Sequence, residues 1–185
     1  MSDTALQADL EANGFSKKPV FVSILGGSEN MVVDQPQRVA VAESSAGGLI
    51  SAALLAVPGA STYFRGGAVI YNRTSIRELT GLDIRALMQT GIRSSSEPFA
   101  ACLAEAVKTN MRGDWGLAET GAAGPTGNGY GDDAGHSCCA VAGASPVKRT
   151  LETGDSDRPA NMVRFAIAAL TLFREELAAA PPKAE

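Results

Sequence analysis

Apolar positions in this chain fall into short runs punctuated by glycine, serine and proline, and their spacing switches repeatedly between strand-like and helix-like. Val39-Ala40-Val41-Ala42 is continuously apolar, as in a strand buried on both faces. Residues 49–57 have helical spacing and stop at Pro58-Gly59. Residues 66–71 predict a second strand, 74–79 a short helix ended by Gly81, and 84–89 another helical stretch. Ser94-Ser95-Ser96-Glu97-Pro98 supplies an N-cap with proline just inside, opening a helix to about Met111. Residues 115–119 form a third predicted strand that runs into a glycine loop, 120–129. Residues 137–143 and 147–151 pair as a hairpin, and 159–179 close the chain as a helix. Strands alternating with helices predict a layered α/β domain, its sheet mainly parallel with an antiparallel member from the hairpin.

The chain has 185 residues, 45% of them hydrophobic and 19% charged, the balance of one globular domain with a buried core. The expected division is an N-terminal extension, 1–37, without a readable motif, a main domain, 38–180, and a polar tail, 181–185. Sixteen Lys and Arg against twenty Asp and Glu give a net charge of −4 and no basic run, which argues against nucleic-acid or membrane partners. No apolar run is long enough to cross a bilayer and the start lacks a signal-peptide pattern, so a cytoplasmic protein is expected. Three cysteines, two of them the adjacent Cys138 and Cys139, make neither a disulfide framework nor a zinc site. With a single histidine no multi-histidine metal centre is possible.

The chemistry concentrates where strand becomes helix. Glu43-Ser44-Ser45-Ala46-Gly47-Gly48 places a serine at the carboxyl end of a strand, against the positive end of a helix. Three readings stand at this point. Ser44 or Ser45 is a nucleophile, with the amides of Ala46, Gly47 and Gly48 facing an oxyanion; the same amides hold a phosphate; or the serines only cap the helix. The loop Thr120-Gly121-Ala122-Ala123-Gly124-Pro125 leaves backbone exposed at a strand end, the usual place of a ligand pocket in an open α/β sheet. His136 follows Tyr130-Gly131-Asp132-Asp133, whose carboxylates are placed to fix its tautomer, and it is the one imidazole available as a base.

Together, Ala42-Glu43-Ser44-Ser45-Ala46-Gly47-Gly48-Leu49, Val57-Pro58-Gly59-Ala60-Ser61, Gly66-Gly67-Ala68-Val69-Ile70-Tyr71 and the Thr120 to Pro125 loop resemble the CinA C-terminal family, competence/damage-inducible proteins that include nicotinamide mononucleotide deamidase. The resemblance spans roughly residues 38–178. It implies a three-layer α/β/α fold with a mixed sheet, and hydrolysis of the carboxamide of nicotinamide mononucleotide to nicotinate mononucleotide and ammonia. A small-molecule nucleotide is then the substrate, no metal or organic cofactor is implied, and a homo-oligomer is expected. The family nucleophile falls on Ser44 and its tyrosine on Tyr71. Substrate binding falls to Glu43, Ser45, Ala46, Gly47 and Gly48 and to Thr120, Gly121 and Gly124. Arg158, from a Gly-Asp-Arg-like segment carrying two inserted residues, stands as the phosphate-side cation. The family's activating lysine, five residues beyond the tyrosine, falls on Ile76. Isoleucine cannot take a proton from a serine, so either another residue supplies the base, with His136 the candidate and Tyr71, Glu43 and Glu119 behind it, or the chain is a diverged nucleotide-binding module.

Overall fold

The computed structural model describes residues 37–57 and 59–179. The expected extension, apart from Gln37, and the tail at 181–185 lie outside them. Five strands form one sheet: β1 (Val39–Glu43), β2 (Phe64–Val69), β3 (Trp115–Ala122), β4 (His136–Ala142) and β5 (Val147–Glu152). Their order is β2-β1-β3-β4-β5, with β1 parallel to β2 and β3, and β4 antiparallel to β3 and β5. Four strands therefore share one direction and β4 opposes them, the mixed, mainly parallel sheet that was expected.

Period-two alternation in β1 sends side chains to both faces. Val39 and Val41 join a core built with Ile50 and Leu54 of α1 (Leu49–Leu55) and Phe165 and Phe173 of α5 (Arg158–Ala179). Ala40 and Ala42 join a second core with Ile76 of α2 (Arg73–Thr80), Ile84 of α3 (Ile84–Gln89) and Phe99, Leu103 and Val107 of α4 (Glu97–Asn110). Helices thus cover both faces, giving three layers.

Two boundaries differ from expectation in ways that shape the site. β2 starts and ends two residues earlier than its apolar pattern suggested, because Phe64 already pairs with Val39. Beyond Val69 a capping box takes over, in which Asn72 Oδ1 accepts from Ser75 N at 2.9 Å and Ser75 Oγ accepts from Asn72 N at 3.0 Å. That box turns Tyr71 out of the sheet. β3 continues through Ala122, into the expected glycine loop, because β4 gives it an antiparallel partner as far as Ala122 against His136.

Candidate functional site

Glu43 and Glu119 are register partners on adjacent parallel strands, both with 0% exposure. A buried carboxylate survives only with its lone pairs occupied, and these two divide that work around the turn at Ser44. α1 begins at Gly48, whose left-handed backbone supplies no side-chain cap. Glu43 replaces it from the strand: its carboxylate accepts from Ile50 N at 2.9 Å, Ser51 N at 3.0 Å and Ser51 Oγ at 2.6 Å. Glu119 accepts from Ser45 Oγ, from Ser137 Oγ at 2.9 Å, from Ala46 N at 2.8 Å and from Ser44 N at 3.2 Å. Burial pushes the Glu119 carboxyl up, against the downward pull of those hydrogen bonds.

These bonds correct part of the expected ligand set. Glu43, Ser45 and Ala46 are buried supports of the turn and do not line the cleft. The Ala46 amide is spent on Glu119 and that of Gly47 on Ser44 O at 3.2 Å, so neither is available to an oxyanion. Ser44 itself is half-buried, and its hydroxyl makes no hydrogen bond among the described residues.

A cleft of about 260 Å³ opens beside Ser44 at the carboxyl ends of β1 and β3. Ile70, Ile76, Ile84 and Phe99 give it an apolar lining; Tyr71, Asn72, Arg73, Ser94, Ser95, Thr120, Gly121 and Tyr130 give it polar groups. Tyr71 is 67% exposed, and its hydroxyl accepts from Arg158 Nη2 at 3.3 Å. Arg158 Nη1 donates to Gly124 O at 2.7 Å, so one guanidinium ties the tyrosine to the glycine loop. Ser44, Tyr71, Thr120 and Gly121 are therefore brought to one cleft, with Arg158 and Gly124 behind its tyrosine.

The loop glycines also serve packing. A Cβ on Gly121 would lie 2.3 Å from His136 O, and one on Gly124, where φ is +113°, 2.6 Å from Ser156 O. Neither position accepts a side chain without moving backbone.

His136 is corrected more sharply. Its Nδ1 meets Glu152 Oε1 at 2.5 Å, across the β4–β5 register, and its Nε2 donates to Ser95 O at 2.9 Å. Both ring nitrogens face acceptors, which favours the imidazolium. Burial pulls the imidazole down, but the bonds to Glu152 and Ser95 and the charges of Asp132 and Glu152 outweigh it, and the net shift is upward. With both nitrogens so engaged the ring is turned to Glu152 and Ser95, and it does not line the cleft. Asp132, expected to set the tautomer, is chelated by Arg93 at 2.5 and 2.6 Å and lies 3.7 Å from Nε2, so it acts on the ring through its charge.

Local spacing did not place Asn72, Ser94, Ser95, Phe99 and Tyr130 on the cleft wall. Ser94 to Ser96 did carry a signal, read as a cap, and Ser96 does accept from Phe99 N. Ser95 has φ +52°, and its carbonyl takes both His136 and Arg93, an arrangement that local spacing does not encode.

A family model for the CinA C-terminal domain matches residues 27–177. The chain belongs to this family. It is 34% identical over 157 residues to a CinA-like protein of Gloeobacter violaceus, covering 84% of this chain and 36% of that one. To a CinA-like protein of Prochlorococcus marinus it is 36% identical over 143 residues, covering 75% and 31%. It spans about a third of the length of these relatives. Among solved structures, CinA superfamily proteins of Klebsiella pneumoniae and Enterobacter cloacae superpose with TM-scores of 0.78 and 0.77, both at 21% identity. The matches cover 86% of this chain and 99% of the first, and 88% and 95% for the second, which fixes the CinA fold here. No helix among the described residues is long and apolar enough to cross a membrane.

Proposed function

We propose that this CinA-family chain binds a phosphorylated pyridine nucleoside of the nicotinamide mononucleotide class in the Ser44 cleft, and that it does so without hydrolysing the amide. The observation that carries this reading is that, among the described residues, no proton acceptor for Ser44 lines the cleft. The titratable groups there are Tyr71, Arg73 and Tyr130. An arginine cannot be deprotonated in a protein and a phenol is a weak base near neutral pH. Ile76, where the resemblance puts the lysine, is 6% exposed and packs in the apolar core beside Ile70 and Ile84. Glu43 and Glu119 are saturated with donors and His136 is committed elsewhere. What remains suits binding: an apolar floor for a ring, hydroxyls and an amide for sugar, and Arg73 and Arg158 for phosphate.

Deamidation is the second reading, favoured by the unengaged Ser44 hydroxyl and by the Tyr71–Arg158 contact. Calorimetric titration with nicotinamide mononucleotide, paired with an ammonia assay, separates the two. Binding without ammonia release, unchanged within about twofold by Ser44→Ala, is the expected result, since the substitution removes a hydroxyl and no phosphate contact. Ammonia release that vanishes in Ser44→Ala would restore the hydrolase.

A further inference from the structure

A second and larger depression, about 390 Å³, adjoins the Ser44 cleft and shares Arg73 and Ile84 with it. Its polar lining is dominated by Arg73, Arg77 and Arg85, with Asp83 as the one carboxylate. Arg73 and Arg77 are four residues apart in α2 and so lie on one helix face, and Arg85 reaches the same notch from α3. The side chains of Arg73 and Arg85 make no hydrogen bond or ion pair among the described residues. Arg77 donates through Nε and Nη2 to a single oxygen of Glu78, leaving Nη1 free. Asp83 is partly spent as the cap of α3, accepting from Arg85 N at 2.8 Å. In a chain of net charge −4, three guanidiniums thus line one concave surface against two carboxylates, Glu78 on Arg77 and Asp83 in the lining. The excess of positive charge favours an anion there.

We propose that this notch is a phosphate subsite continuous with the cleft, so that the ligand is a nucleotide with a pyrophosphate linkage and not a mononucleotide alone. The inference rests on the reading of the Ser44 cleft as a nucleotide site. One phosphate lies at the Tyr71–Arg73 rim and the next lies past Arg73, among Arg77 and Arg85. Planar guanidiniums are suited to this, since each can offer two parallel donors to a phosphate.

The test compares three probes by calorimetry at low salt: nicotinamide mononucleotide, nicotinamide adenine dinucleotide and inorganic pyrophosphate. They are titrated into the wild type and into the Arg77→Gln/Arg85→Gln double variant, which leaves Arg73 in place. Both residues are exposed, so the variant should fold, and circular dichroism checks it. The expected result is dinucleotide binding about tenfold tighter than mononucleotide in the wild type, a gain of two charge-assisted contacts that salt weakens. The double variant should lose that gain and the pyrophosphate binding, while mononucleotide affinity stays within about twofold. Equal affinities for mononucleotide and dinucleotide, with pyrophosphate indifferent to the substitutions, would overturn the subsite. If neither nucleotide binds but pyrophosphate binds only the wild type, the cleft reading fails and the anion site stands.

Discussion

The two walls of the Ser44 cleft are built on different principles. On the serine wall every polar group behind the turn is paired: Glu43 caps α1 from the strand, and Glu119 gathers two hydroxyls and two amides. On the α2 wall Tyr71, Asn72 and Arg73 are exposed at the surface, and the inward position that faces the cleft from α2, Ile76, is apolar. The contrast teaches which parts of a cleft a fold keeps for its own sake. The turn is part of the core, because removing either carboxylate would leave buried donors without acceptors. A base, by comparison, is one side chain facing a cleft, and the same backbone accepts isoleucine there with its apolar neighbours.

The sharpest way to break the serine wall is Glu119→Ala, which strands the hydroxyls of Ser45 and Ser137 and the amides of Ser44 and Ala46. A loss of about 3 kcal/mol or more in urea unfolding is expected, the scale of an uncompensated buried network. Glu119→Gln should lose less than half as much, because its amide oxygen still serves the two backbone N–H groups and its NH2 can donate to the hydroxyls. Equal losses for the two variants would mean that the negative charge, and not the hydrogen-bond pattern, holds the turn.

Giving the α2 wall a base sharpens the comparison from the other side. Ile76→Lys buries an ammonium among Ile70, Ile84 and Phe99 and should cost about 2 kcal/mol in the same unfolding assay. Ammonia release from nicotinamide mononucleotide should rise above the wild-type level, whereas Ile76→Met, close in volume, should lose less than about 1.5 kcal/mol and release none. A correctly folded Ile76→Lys protein without ammonia release would show that the serine wall is incomplete as well.

The smallest effect concerns the strand behind both walls. Because the His136 imidazole is held above its ordinary value, its contribution to stability is complete below about pH 6.5 and disappears as pH rises through the folded-state value. Thermal melts between pH 6 and pH 9 should therefore show the wild type falling relative to His136→Gln. Parallel curves would refute the imidazolium. Loss of the charge should also loosen the Ser95 carbonyl, and with it the cleft wall, more than it affects Ser44.

Much of this was legible in the residue pattern. The unbroken Val39 to Ala42 run, the caps at Ser96 and Gly81 and the hairpin signals translate into the observed elements, because buried faces and helix ends impose local chemistry. Where the expected strand at 66–71 moved and the strand at 115–119 grew, the partner strand decided: Val39 pulled β2 back to Phe64, and β4 carried β3 out to Ala122. At the site, Ser44, Tyr71 and Thr120 come together from three strand ends as the motifs suggest. His136 illustrates the opposite. Its nearest acidic neighbours in sequence were Asp132 and Asp133, but the partner that takes its Nδ1 is Glu152, sixteen residues away and directly across a strand pair.

The sequence by itself determined the alternation of strands and helices, the turn that carries Ser44 and the isoleucine five residues beyond Tyr71, because each is written in neighbouring residues. Only the tertiary structure decided what those residues face. It turned the glutamates inward to hold the turn, tied Arg158 to Tyr71 across 87 positions, fixed His136 between Ser95 and Glu152, and gathered three arginines from two helices into one notch. The reason is physical: hydrogen bonding and charge act through space over a few ångströms, and the pairing of strands sets which distant residues come that close.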